Sequence, residues 1–257
     1  MAANPTSDLP CADSLRERLT DIYDRLLAAY GPQRWWPGSG GFETVAGAIL
    51  TQSAAWPNVE QALERLRAAG ALTPEAILSL DEAELAQLVR PSGYFNAKAR
   101  KLIAFCNMLR REFSGDLHSL LALPAQELRG RLLSTYGIGP ETADDIVLYA
   151  AAKPSFVIDA YTRRIFSRLG IAPQYEDYES WRSMFMVALP VNATMFNEYH
   201  ALIVRHAKVS CAKRPDCARC VLQGICATAA DTAQNAVPVD RSGASFQNAS
   251  RTQETNA

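Results

Sequence analysis

No stretch of this 257-residue chain approaches the roughly 18 consecutive apolar residues needed to span a bilayer. Met1 to Pro10 also lack the basic-then-apolar order of a secretory signal, so the expected location is the cytoplasm. Positive charge is not in surplus. Lys and Arg number 26 against 27 Asp and Glu, a net charge of −1, which excludes a globally basic nucleic-acid-binding surface. Histidine is scarce: His118, His200 and His206 show no metal-ligand pairing. His200 and His206 lie six apart on one helix and share no face, so all three read as structural. Strand-like alternation and internal repeats are missing as well.

What remains is helix. Leu15, Leu19, Ile22, Leu26 and Leu27 recur at helical spacing, with Asp13 or Ser14 available as a cap. Phe42, Val45, Ala46, Ile49 and Leu50 form a second stripe. Further helices are expected over Val59–Ala69, Thr73–Leu80, Asp81–Val89, Ala97–Phe113, Ala125–Ser134, Pro140–Ala151, Ala160–Leu169, Tyr178–Ala188 and Asn192–Val209. Residues 1–11 and about 229–257 are polar, without periodicity, and read as disordered tails. The fold class is all-α with short connections.

Local charge is less even than the total. Arg90, Lys98, Arg100, Lys101, Arg110 and Arg111 crowd one segment against a single acid, Glu112. Arg205, Lys208, Lys213, Arg214 and Arg219 form a second group, and Arg163, Arg164 and Arg168 a third. Brought together, they would make a phosphate-binding face on a near-neutral protein.

Three patterns carry chemistry. Tyr136-Gly137-Ile138-Gly139-Pro140-Glu141-Thr142-Ala143 lies between two helices. Its glycines permit a tight turn and Pro140 suits a helix's first turn, leaving backbone N–H groups for a phosphate. Asp159 follows the apolar run Phe156-Val157-Ile158 and precedes a helix, where a carboxylate serves as an N-cap. Cys211, Cys217, Cys220 and Cys226 have the spacing x5-x2-x5. From spacing alone, such a set could hold zinc or a [4Fe–4S] cluster.

The hairpin string, followed by Val157-Ile158-Asp159-Ala160-Tyr161-Thr162-Arg163-Arg164, resembles the endonuclease III branch of the helix–hairpin–helix DNA glycosylases. The likeness runs from about Trp35 to Cys226. It implies two helical domains with damaged double-stranded DNA in the cleft between them and the flipped base held there. The expected division is 12–40 with 152–228 as an iron–sulfur domain, and 41–151 as a six-helix domain containing the hairpin. A monomer is the simplest expectation.

By the same resemblance Asp159 is the catalytic carboxylate, opposing the positive charge that grows on the sugar as the N-glycosidic bond breaks. Gly137, Ile138, Gly139 and Thr142 bind the DNA backbone. Gln52 fills the hole left by the flipped base, and Tyr94 stands where the family inserts a wedge into the stack. The four cysteines hold a [4Fe–4S] cluster, although the family spacing is x6-x2-x5. Lys213, Arg214 and Arg219 in that loop face DNA phosphates.

Glu141 is a departure, because bifunctional members carry there a lysine that forms a Schiff base with the sugar. A monofunctional enzyme using water is therefore expected, with Glu141 as a second site carboxylate. Trp35-Trp36-Pro37 and Leu50-Thr51-Gln52 with Trp56 are similar to a subgroup of 3-methyladenine glycosylases, implying aromatic walls around an alkylated purine. Members of that subgroup need not carry the cysteine cluster. The alternatives are an oxidised-pyrimidine glycosylase with lyase activity and a silent lesion-binding module.

Overall fold

The computed structural model describes residues 12–36 and 40–230. Twelve α-helices run through these residues, which contain no strand. They are α1 (Ala12–Tyr30), α2 (Gly41–Thr51), α3 (Trp56–Ala68), α4 (Pro74–Ser79), α5 (Glu82–Leu88), α6 (Phe95–Phe113), α7 (Leu117–Ala122), α8 (Ala125–Leu133), α9 (Pro140–Asp145), α10 (Ala160–Arg168), α11 (Tyr178–Ala188) and α12 (Ala193–Val209). Their starts are written in the sequence. Thr73, Asp81, Asp116, Asp159, Asp177 and Asn192 each accept a backbone N–H of the helix that follows. At α5 a reciprocal bond from Asp81 N–H to Glu84 completes a capping box.

Two apolar cores form. The first gathers buried side chains from Phe42 to Val147 around α2, which is buried at every position from Phe42 to Leu50 except Glu43. The second gathers Leu19, Ile22 and Leu26 of α1 with side chains from Leu148 to Leu222. Its centre is aromatic: Phe156 stacks on Phe185 at 4.1 Å, and Phe166, Phe196 and Tyr199 meet them edge-on. Full burial of each phenylalanine stabilises by about 1.5–3 kcal/mol. The chain passes between cores within one turn, since Val147 belongs to the first and Leu148 to the second.

A buried carboxylate ties the halves together there. Asp144 of α9 is fully enclosed and accepts Arg129 Nε of α8 at 2.8 Å and Arg182 Nε of α11 at 3.2 Å. The Ser155 hydroxyl donates to it too, and Arg182 Nη2 reaches that hydroxyl at 2.9 Å. The cleft that holds the candidate site opens beside this bridge.

Several expectations shift. α1 begins at Ala12, so Asp13 and Ser14 fall inside its first turn. The helix expected over Pro140–Ala151 is α9 followed by a wider π turn, Ile146–Ala150. α7 is an extra element, only six residues long and too short for a periodic stripe. Residues 227–230 are helical with Ala229 buried, so the order continues past the expected tail boundary. Residues 1–11, 231–257 and Pro37 lie outside the described residues.

Candidate active site

α9 and α10 aim their acidic N-terminal residues into one cleft. The turn before α9 depends on Gly137, whose φ is +81°. A Cβ there would collide with the side-chain stem of Lys101 on α6, so glycine is needed for space as well as conformation. Ile138 is buried beneath the turn, and Gly139 is exposed at the start of the helix. Thr142 is buried, its hydroxyl taking a bond from Gln52 Nε2 at 2.9 Å.

Asp159 is the N-cap of α10. Its Oδ1 accepts Thr162 N at 2.7 Å and Thr162 Oγ1 at 2.9 Å, which leaves Oδ2 free. Oδ2 lies 3.6 Å from His200 Nε2. Burial alone would raise the pKa of this carboxyl, but His200 and the Thr162 donors outweigh it and hold it below the ordinary value. Its neighbours move the other way. Burial, and then the Asp159 charge, raises Glu141. Asp145, one turn further along α9 and buried, is raised well above the ordinary range, chiefly by burial. One ionised carboxylate thus stands beside two that are more easily protonated.

These groups line a cavity of about 250 Å³ whose other wall is aromatic. Trp35, Trp36 and Trp56 meet with ring centroids 5.0–5.7 Å apart, and Trp36 lies 5.0 Å from Tyr149. Trp36 seats over Gly47 of α2, where a Cβ would come within 3.0 Å of the indole. His200, Val204 and Lys208 of α12 complete the lining, with Lys208 exposed at the mouth. Next to it runs an open groove of about 460 Å³ between α2 and the hairpin, sharing Thr51, Glu141 and Asp145 with the cavity. Gln52 lines that groove. It donates to Gly137 O at 3.0 Å and accepts a bond from Lys101 Nζ, so it is tied to the hairpin. Tyr94 stands apart at the N-terminus of α6, left-handed at φ 45° and 76% exposed.

The four cysteines lie at the far end of α12. All are free thiols, and Cys211 is buried. Cys220 is raised by burial first, then by proximity to Cys211, Cys226 and Cys217. Arg168 Nη1 approaches Cys211 Sγ at 3.2 Å. Among the described residues no three His, Cys, Asp or Glu side chains close around a single metal ion. Lys213, Arg214 and Arg219 of the loop are exposed.

The third basic group has another use. Arg164 Nε and Arg168 Nη1 and Nη2 donate to the carbonyls of Cys211, Ala212 and Lys213, bracing the cysteine loop. Lys98 of the first group is buried, with Nζ 2.8 Å from Leu50 O and 2.6 Å from Ser92 O. Neither Lys98 nor the Arg164–Arg168 pair is spare for phosphate.

A helical hairpin opening beside an N-capping aspartate in an aromatic cleft matches a known family model over residues 46–190, more than half the chain, described as HhH-GPD superfamily base excision DNA repair protein. The chain belongs to the HhH-GPD superfamily. A protein of Methanocaldococcus jannaschii that carries the name of a DNA repair glycosylase is 41% identical over 212 residues, 82% of this chain and 96% of its own. Among solved structures, the H. pylori 3-methyladenine DNA glycosylase bound to 1,N6-ethenoadenine is 28% identical, with a TM-score of 0.64 over 77% of this chain and 98% of that one. A trapped endonuclease III–DNA covalent intermediate shares the fold, with a TM-score of 0.74 at 21% identity, covering 85% of this chain and 98% of that one.

Within this HhH-GPD chain the cleft gathers Glu141, Asp159, Trp35, Trp36 and Trp56, with the hairpin and Gln52 on its shared rim. His200, Tyr149 and Asp145 join them although sequence reading passed them over. His200, read as structural from the sequence, has its ring against the cavity. Only the eight-residue spacing His200–Val204–Lys208 marks that face of α12 in the sequence.

Proposed function

We propose that this HhH-GPD protein is a monofunctional DNA N-glycosylase that removes alkylated purines such as 3-methyladenine, with Asp159 as the essential carboxylate. The observation that carries the reading is an N-capping aspartate that faces a tryptophan-walled cavity, with glutamate rather than lysine at the hairpin. A flipped cationic purine would stack on the indoles and be drawn by the nearby carboxyls. Its C1′–N bond breaks with the electron pair leaving on the base, which departs neutral. Asp159 Oδ2 opposes the positive charge growing on the sugar. Water attacks C1′ and gives its proton to the carboxylate, then to solvent. An alkylpurine cation needs no protonation to leave, which suits a site whose N-capping carboxylate is held ionised.

The backbone of Gly137, Ile138 and Gly139 takes a phosphate, and exposed Tyr94 is the wedge. Gln52 leaves its hairpin partners to enter the gap in the duplex. The cysteine donor set suits a [4Fe–4S] cluster, which when bound would supply the iron–thiolate bonds that shape the loop. Lys213, Arg214 and Arg219 then face the DNA. The first core is read as the hairpin domain and the second as the cluster domain of a monomer.

Lys208 favours a second reading, since it is an exposed lysine that lines the same cavity and could attack the sugar as a lyase does. One set of assays separates the readings. Methylated duplex DNA is incubated with wild type, Asp159→Asn and Lys208→Ala, and released bases, strand nicks and borohydride-trapped adducts are measured. Release of 3-methyladenine without nicks or adducts, lost in Asp159→Asn, supports the proposal. An adduct lost in Lys208→Ala establishes the lyase instead.

A further inference from the structure

His200 is not used by the reaction described above, yet nothing else in the cavity is held as it is. The ring is buried on α12 and lines the cavity. Nδ1 lies 2.5 Å from the hydroxyl of Tyr149 in the π turn after α9. Nε2 is the only buried side-chain nitrogen or oxygen among the described residues without a hydrogen-bond partner. It is aimed at Asp159 Oδ2, whose 3.6 Å separation is longer than a hydrogen bond. Buried polar groups are rarely left unmet, so an unmet one that lines a cavity calls for a partner.

We infer that Tyr149 and His200 form a positioning relay that sets the reactive oxygen of Asp159. The inference deepens the proposed reaction and rests on Asp159 carrying it. If the Tyr149 hydroxyl donates to Nδ1, the ring proton of neutral His200 sits on Nε2, facing Oδ2. Thr162 already occupies Oδ1, so Oδ2 is the oxygen left for the sugar. Closing the short gap to Nε2–H fixes its direction when lesion DNA binds, since catalytic hydrogen bonds often tighten only in the complex. Protonated His200 offers the same N–H, so the contact does not depend on which form is present.

The charges around the ring come from three elements. His200 faces Asp159 at the start of α10 and Asp145 and Glu141 on α9, while Lys208 stands further along α12. Burial pulls the His200 pKa down, but Asp159, then Asp145 and Glu141, carry it above the ordinary value. The two partners therefore shift each other in opposite directions.

The test uses the whole protein as purified, and its three histidines make ring NMR signals simple to assign. Titration should show the His200 pKa falling in Asp159→Asn. In single-turnover base release, His200→Phe should be slower by about 100-fold, the scale of a misplaced catalytic group, a far larger effect than on lesion-DNA affinity. Its acid limb should move to higher pH, because Asp159 loses the neighbour that lowers it. His200→Gln, which keeps an N–H near Nε2, should recover most of the rate, and Tyr149→Phe should lie between. An unchanged His200 pKa in Asp159→Asn, or a wild-type rate in His200→Phe, overturns the relay. Should wild type release no base at all, the reaction reading fails on its own, and the NMR titration still decides whether the pair is coupled.

Discussion

In the proposed reaction the chemistry rests on three carboxyl groups of unlike environment. Asp159 is lowered by His200 and Thr162, so the stability it contributes is present above its ordinary pKa of 3.8 and lost only as pH falls through a still lower value. Glu141 and Asp145 are raised, so their charges vanish first on acidification. Attraction for a cationic base should therefore weaken at a pH above 4.5, the ordinary value for Glu141, while turnover of bound substrate persists below it. A pH series should show KM rising before kcat falls. A kcat that falls at the higher pH would assign the essential acid to Glu141. The hairpin position offers a complementary gain of function. Glu141→Lys should yield a borohydride-trapped DNA adduct absent from the wild type, because an amine there lines the same cavity as Asp159. Motif position marks Asp159 and Glu141 at the starts of α10 and α9, and both line the cavity. It does not mark His200, because a histidine aimed across a cavity at another helix leaves no local spacing signature.

Elements matter here for how they hold those residues. The hairpin turn is locked by Gly137 over the stem of Lys101, whose ammonium holds Gln52. Gly137→Ala should lose about 1–3 kcal/mol from the forced left-handed residue, and further DNA affinity as Lys101 is displaced. Thermal melts and duplex binding would measure the two losses separately; a variant with wild-type melting and affinity would refute the fit. Asp144 is the corresponding lock between cores. Asp144→Ala leaves Arg129 and Arg182 without their buried partner and should cost about 3–5 kcal/mol, read as a lowered midpoint in denaturant. Helix positions were largely readable, since most have an apolar stripe and several a capping residue. The π turn was not, because Ile146 to Ala150 look like ordinary helix; the widening coincides with the change from one core to the other. Lys98 shows the same limit. In sequence it belongs to a basic run, but in the fold it satisfies carbonyls at Leu50 and Ser92.

At the scale of the molecule, the puzzle is how a protein of net charge −1 grips a polyanion. Counting basic groups overstated the answer, because Arg164 and Arg168 brace the cysteine loop and Lys98 is buried. Sequence shows how many charges there are but not their partners, which depend on contacts across more than forty residues, as between Arg168 and Cys211. The loop that carries the cysteines keeps three of them exposed: Lys213, Arg214 and Arg219. If that loop is a phosphate clamp, affinity for any duplex, damaged or not, should fall with salt, each neutralised phosphate adding about 0.9 to the slope of log affinity against log salt. The triple alanine variant should reduce the slope by about 1 for each phosphate it can no longer reach, while the ratio of lesion to undamaged affinity is kept. The rate of base excision from saturated complexes should also be unchanged, since Asp159 and the tryptophans are untouched. A variant that keeps the wild-type slope would remove the cysteine loop from the DNA interface and leave it a purely structural closure of the second core. A variant that loses lesion preference along with slope would mean that the loop helps to present the damaged base.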